Sequence, residues 1–295
     1  MIAIVSHVGV KSVAPIIKRN TTRRRNNDMT NYTQILPLKT DERVADQFGW
    51  LPESVITPGK GTAWREIIGD SGDISTRRST DTKYLPNLKF SEFNPDLAEK
   101  IIRYWSLPND LILDPFAGRA TRGIVALKLG RRYDGYEIAP TTFEKTEVKI
   151  KSLGGRLFKA DGCTLEYHKD GSAQMIFTCP PYHRLERYES ATGQLSDIKD
   201  YSAFLNSIRE CAKNCYLSLD IGRFAVIVVA DWRDGKAFRL FHVDTISAME
   251  SAHFTTWDIV VIKNHSPFTR LQAGKVAANR YTSKTHEYAL VFRKE

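Results

Sequence analysis

Leu111-Ile112-Leu113-Asp114-Pro115-Phe116-Ala117-Gly118-Arg119-Ala120-Thr121-Arg122-Gly123 decides the fold. Three consecutive apolar residues closed by an acid, a turn of Pro and small residues, and then a segment of helical spacing read as one strand–turn–helix unit. Working outward, short apolar runs alternate with amphipathic segments from Asp110 to the end of the chain, which argues for βα units on a parallel sheet. The pattern predicts strands over 111–114, 133–138, 156–160, 175–178, 224–230, 257–262 and 288–292. Helices are expected over 121–129, 142–152, 201–217 and 238–252.

The turn after Asp114 lies where open α/β sheets bind ligands, at the carboxyl end of a strand, and its small residues let the backbone approach a ligand. It has neither G-x-G-x-x-G nor the Gly-Lys-Ser/Thr of a P-loop, so a dinucleotide or triphosphate is disfavoured. Glu137 closes the next strand about twenty residues on, the place of an acid that accepts hydrogen bonds from ribose hydroxyls. Asp161 closes the third strand at the same sheet edge, where it either contacts an adenine amino group or caps a turn.

The fourth strand ends in Thr178-Cys179-Pro180-Pro181-Tyr182. Two prolines donate no backbone hydrogen bonds and hold the chain stiffly, leaving neighbouring carbonyls to accept from a ligand amino group. The exocyclic nitrogen of cytosine or adenine shares its lone pair with the ring. Hydrogen bonds to its protons localise that pair, after which transfer of a methyl group depends on positioning and electrostatics. Tyr182 would supply a stacking face, and a base in a duplex would have to be flipped out to reach it.

With these residues in place, the chain resembles the DNA amino-methyltransferases, especially phage-encoded members, from about Phe48 onward. Asp114-Pro115-Phe116-Ala117-Gly118 is similar to their cofactor motif and Cys179-Pro180-Pro181-Tyr182 to their Asp/Asn/Ser-Pro-Pro-Tyr motif. The segment 88–105, with Phe90, Phe93, Asn94 and Pro95, resembles the part that packs beside the methionine moiety, and 285–292 the closing strand. The resemblance implies a Rossmann-like, seven-stranded, mostly parallel sheet with helices on both faces and an antiparallel last strand, the class I methyltransferase fold. It further implies an enzyme of DNA modification, of the kind found in restriction-modification systems, with S-adenosylmethionine as cofactor. Phe93, Asp114, Pro115, Phe116, Ala117, Gly118, Glu137 and Asp161 then hold the cofactor, and Cys179, Pro180, Pro181 and Tyr182 the base.

Cys179 departs from the family pattern, since a thiol is a weak acceptor and shifts more of the work to the Pro180 carbonyl. The Thr-x-Pro-Pro-Tyr form resembles the Thr-Ser-Pro-Pro-Tyr associated with cytosine amino methylation, and that resemblance implies cytosine N4 over adenine N6. Attack by Cys179 on a pyrimidine ring is disfavoured, because the nucleophile of cytosine carbon-5 methyltransferases follows its proline, whereas Cys179 precedes both.

The 295 residues carry 43 Lys and Arg against 34 Asp and Glu, a net charge of +9 that favours a polyanionic partner. Residues 263–284 include no acid but contain Lys263, Arg270, Lys275, Arg280 and Lys284. A long connector without regular structure is expected to have a job, and Arg270, Lys275, Arg280 and Lys284 are its candidate DNA contacts. Residues 1–80 show little periodicity and a basic run at Lys18 and Arg23 to Arg25, read as a partly flexible tail or a phosphate-gripping arm. Residues 81–295 form the methyltransferase domain.

Cys163, Cys179, Cys211 and Cys215 lack zinc-ligand spacing, so no metal is expected, and a reducing interior, the cytoplasm of a bacterial or phage-infected cell, fits them. No run approaches the roughly 20 apolar residues of a membrane span. Double-stranded DNA is the expected partner of a monomer or homodimer. An RNA or protein-glutamine amino-methyltransferase, and a catalytically silent DNA-binding protein of the same fold, remain open; the basic loops disfavour a protein substrate.

Overall fold

The computed structural model describes residues 44, 45, 48, 50–59, 64, 68, 93–166, 168, 170–184, 191–235, 237–264 and 273–295. The chain divides into two compact units, Met1–Pro37 and Leu38–Glu295, and every described residue lies in the second. The basic run at 18–25, Leu88, Phe90 and Arg270 lie outside the described residues, as does the side chain of Lys275.

The sheet comprises β1 (Val55–Ile56), β2 (Leu111–Asp114), β3 (Arg132–Tyr136), β4 (Arg156–Phe158), β5 (Ala173–Thr178), β6 (Leu219–Val229), β9 (Thr255–Lys263) and β10 (His286–Arg293), in the order β1-β9-β10-β6-β5-β2-β3-β4. β10 runs antiparallel to both β6 and β9. The remaining pairings are parallel. A separate antiparallel hairpin joins β7 (Trp232–Asp234) to β8 (Ala237–Arg239).

Strand alternation divides the core in two. Ile112, Met175, Phe177, Val226, Val228, Ala289 and Val291 pack with Leu97, Ile101 and Ile102 of α1 (Pro95–Trp105) and Ile124 and Val125 of α2 (Thr121–Lys128). Their neighbours Leu113, Ile176, Ala225, Ile227, Leu290 and Phe292 face Phe204 and Ile208 of α4 (Tyr201–Ser218) and Phe241 and Ala248 of α5 (Phe241–Ser251). A period of two on strands buried on both faces gives this helix–sheet–helix arrangement. α3 (Pro140–Ser152) adds Ile150 to the first layer. α1 starts cleanly because Asn94 accepts from the N–H groups of Asp96 and Leu97 at 2.9 and 3.2 Å and Pro95 occupies the first turn.

Three expectations need correction. The main sheet has eight strands, because the two-residue β1 adds to the seven foreseen, and Phe48, Trp64 and Ile68 are buried as well. The helix foreseen over 238–252 starts only at Phe241, since Arg239 and Phe238 pair with Trp232 and Arg233 as strand. Residues 263–284, foreseen without regular structure, include α6 (Ala273–Ala278), about a turn and a half, too short to establish a helical period.

Candidate active site

Asp114, at the end of β2, is completely buried. Its carboxylate accepts from Thr178 Oγ1 at 2.7 Å, Arg122 Nε at 2.9 Å and Nη2 at 3.2 Å, Tyr133 Oη at 3.1 Å and the Phe116 N–H at 3.2 Å. Arg122 Nη2 also donates to the Phe116 carbonyl at 2.6 Å. Burial works against the guanidinium, but Asp114, followed by Cys179, outweighs it and holds the Arg122 pKa above its ordinary value. Burial and then Asp114 push the Tyr133 phenol well up. These contacts fix the turn from Pro115 to Gly118 from below, where Gly118 has φ +55° and Ala120 φ +51°. The Ala117 N–H donates to the Tyr136 carbonyl at 2.9 Å, and the Glu137 N–H to that of Phe158 at 3.0 Å, so the tips of β2, β3 and β4 are stitched together.

Two cavities that share Phe116, Gly118, Glu137 and Cys179 open above these tips. The first, about 510 Å³, is also lined by Pro115, Asp161 and Pro181. The second adds Phe93, Ala117, Arg122, Pro180 and Tyr182. Glu137 follows β3 rather than ending it, and its Oε1 accepts from the Ala139 N–H at 2.7 Å. Burial raises its pKa, opposed by the N–H groups of Ala139, Gly118 and Ile138. Asp161 likewise lies in the turn after β4, where Oδ1 accepts from the Cys163 N–H at 2.8 Å. A side chain at Gly162 would put its Cβ 1.7 Å from the Pro115 carbonyl oxygen, so this turn and the β2 turn touch backbone to backbone.

Phe93 meets Phe177 edge to face at 5.5 Å and carries the Arg122 guanidinium 4.9 Å over its ring. Tyr182 meets Trp232 at 5.5 Å and Phe241 at 6.1 Å, both edge to face.

Of the residues assigned from the sequence to the cofactor or the base, only Asp114 is missing from both cavity walls. It lies behind the wall, with its carboxylate engaged by the donors named above. Arg280 and Lys284 line neither cavity and are exposed. Sequence reasoning missed Arg122, Asn264 and Glu287 in the second cavity, and Gly193, Gln194 and Leu195 in the first. The Arg122 position, four residues past Gly118 on a buried helix face, was the one available signal. Among the described residues there is no cluster of three or more His, Cys, Asp or Glu side chains able to hold a metal. No described helix is long and apolar enough to cross a membrane.

A sheet with one antiparallel strand beside its edge pairs, bearing paired cavities over its strand tips, defines a class I methyltransferase fold. A family model described as a DNA methylase matches residues 16–148 and 173–295, and the chain belongs to that family, which groups the N6 and N4 methyltransferases. Among curated relatives, the chain is similar to the type II methyltransferase M1.MboII of Moraxella bovis, with 39% identity over 75 residues, 24% of this chain and 29% of that protein. It is also similar to M.MthZI of Methanothermobacter thermautotrophicus, with 25% identity over 158 residues, 48% of this chain and 44% of that one. These matches span less than half the length of either relative. A solved structure of a putative DNA modification methylase from Thermus thermophilus is 23% identical with a TM-score of 0.32, covering 42% of this chain and 46% of that one.

The cofactor of this family is S-adenosylmethionine, and the residues present fit it. The Glu137 carboxyl has its pKa raised by burial and has room in the cavity for hydroxyl donors such as a ribose diol. Asp161 shares the same cavity, and two carboxylates there favour a nucleoside over a polyphosphate.

Proposed function

We propose that this chain transfers a methyl group from S-adenosylmethionine to the exocyclic amino group of a base in double-stranded DNA, cytosine N4 in preference to adenine N6. The observation that carries this reading is the place of Cys179: it stands on the wall common to both cavities, so a nucleoside at Glu137 and a base at Tyr182 meet across it. The bound cofactor supplies an electrophilic methyl on a sulfonium. The chain does the rest by positioning.

Glu137 accepts from the ribose and Asp161 from the adenine amino group. Phe93 packs beside the methionine moiety. The Pro180 carbonyl accepts a hydrogen bond from the target amino group, with the Cys179 thiol as a weaker acceptor, and Tyr182 stacks on the ring. As nitrogen bonds to the methyl carbon and the carbon–sulfur bond breaks, the surplus amino proton leaves to solvent. The Thr178 hydroxyl is committed to Asp114, so the preference for cytosine rests on the Thr-x-Pro-Pro-Tyr pattern. A flipped base reaches this pocket at a cost of a few kcal/mol, and Arg270, Lys275, Arg280 and Lys284 are proposed to hold the duplex.

Incubating the protein with unmethylated DNA and cofactor tritiated on the methyl group tests the activity. Sequencing that DNA by a method that distinguishes N4-methylcytosine, N6-methyladenine and 5-methylcytosine tests the base. Label in RNA alone, or in neither nucleic acid, would overturn the reading.

A further inference from the structure

The β7–β8 hairpin projects from the sheet directly after β6, and its aromatic residues run continuously into the site. Trp232 meets Tyr182 edge to face at 5.5 Å, and Tyr201 stands 6.2 Å from Trp232. Three cations rest on the aromatic rings of this region. Arg239 lies 4.4 Å over Tyr201, and its charge is offset by Asp234 at 3.7 Å.

The other two have no such carboxylate among the described residues. Arg233 lies 4.5 Å over Tyr281 and 5.2 Å from the Phe238 centroid, while Lys284 lies 4.1 Å from that same centroid. Both are exposed, and neither forms an ion pair with a carboxylate among the described residues. Of the acids bonded to this aromatic group and its neighbours, Asp231 pairs with His242 at 2.8 Å and Asp244 accepts from the Tyr201 hydroxyl at 2.6 Å.

Arg233 and Lys284 share the Phe238 ring, and the rings restrict where the two charged heads can go. Preplaced cations beside aromatic faces, one of them a weakly hydrated guanidinium, are the chemistry that grips a nucleic-acid backbone.

We propose that the β7–β8 hairpin and the segment around Tyr281 and Lys284 form a DNA-backbone clamp, in which Arg233 and Lys284 take phosphates beside the extruded base. This rests on the reading of the chain as a DNA methyltransferase, and it adds a surface outside the cavities. The hairpin's contact with Tyr182 points to DNA over another polyanion, because whatever lies on the hairpin is continuous with the base wall.

The test uses the full chain with Arg233→Ala, Lys284→Ala, the double variant and Arg233→Lys. Binding to a fluorescent duplex is followed from 50 to 200 mM salt, alongside KM for DNA, kcat and affinity for S-adenosylhomocysteine. Each alanine should lower the slope of log K against log salt by about 0.9 and raise KM for DNA about three- to tenfold. The double variant should lose about twice that slope, raise KM for DNA more than it lowers kcat and keep its S-adenosylhomocysteine affinity, and Arg233→Lys should restore the slope because it keeps the charge. A wild type that methylates DNA while the double variant keeps its slope and KM overturns the clamp alone. A wild type that neither binds nor methylates DNA overturns the DNA reading and the clamp with it.

Discussion

Thr178 Oγ1 lies 2.7 Å from Asp114 Oδ1, joining the end of β5 to the end of β2 beneath both cavities. The same oxygen accepts from the Phe116 N–H at 3.2 Å, so one hydroxyl connects the Pro-Pro-Tyr strand to the turn after β2. Thr178→Val should cost about 1.5–3 kcal/mol, the range for a hydrogen bond to a charged group, and weaken S-adenosylhomocysteine binding. Thr178→Ser should recover most of both. Urea unfolding and calorimetry would detect this, and a valine variant as stable as the wild type would refute it.

Arg122 is buried against Asp114, so removing it leaves a carboxylate uncompensated in the interior. Arg122→Met should destabilise the protein by about 3–5 kcal/mol. Adding Asp114→Asn should return a substantial part of that loss, because the stranded charge is gone. Denaturation midpoints of the two variants decide it: a double variant less stable than Arg122→Met would be inconsistent with this account.

Burial raises the Glu137 carboxyl pKa, so the ionised form costs stability in the ligand-free fold. Stability from this residue is therefore greatest below its ordinary pKa and declines as pH rises through the raised one. Glu137→Gln should raise the melting temperature of the ligand-free protein at neutral pH. It should also weaken S-adenosylhomocysteine about ten- to hundredfold, in keeping with loss of charge-assisted hydrogen bonds. In the wild type, affinity should climb as pH rises through the raised pKa. Calorimetric titration between acid and neutral pH would show a flat profile if Glu137 takes no part.

Cys179 and Tyr182 separate positioning from covalent chemistry. Cys179→Ser should retain activity within about tenfold, since a hydroxyl also accepts a hydrogen bond, whereas an attacking thiolate could not be replaced in this way. Tyr182→Ala should lower turnover by about 100-fold or more through lost positioning while leaving cofactor affinity nearly unchanged. Equal loss of turnover and affinity at Tyr182 would move that residue to the cofactor side.

The strand tips were legible because Leu111 to Asp114 and Met175 to Thr178 are short apolar runs ended by polar residues, buried on both faces. The rest failed for physical reasons. β6 begins at Leu219, five residues before the apolar run at Phe224, because the intervening residues Asp220 to Arg223, which break that run, are held by backbone pairing, with the Gly222 N–H bonded to the Lys294 carbonyl at 2.7 Å. Phe238 fits the apolar spacing of the helix that follows it, and pairing with β7 makes it and Arg239 strand. Gln194 enters the first cavity from a connecting segment without period, where sequence spacing carries no spatial information.

β10 sits between β6 and β9 although it follows both in sequence, and β1 attaches through β9 alone. A ribosome must therefore release the residues through Arg293 before three of the eight strands, β1, β9 and β10, can dock on the rest, leaving the long β9 edge uncovered on the nascent chain. Chaperone capture or proteolysis during synthesis should concentrate on that interval, and mutations that weaken β10 should reduce yield in the cell more than their effect on the finished protein suggests.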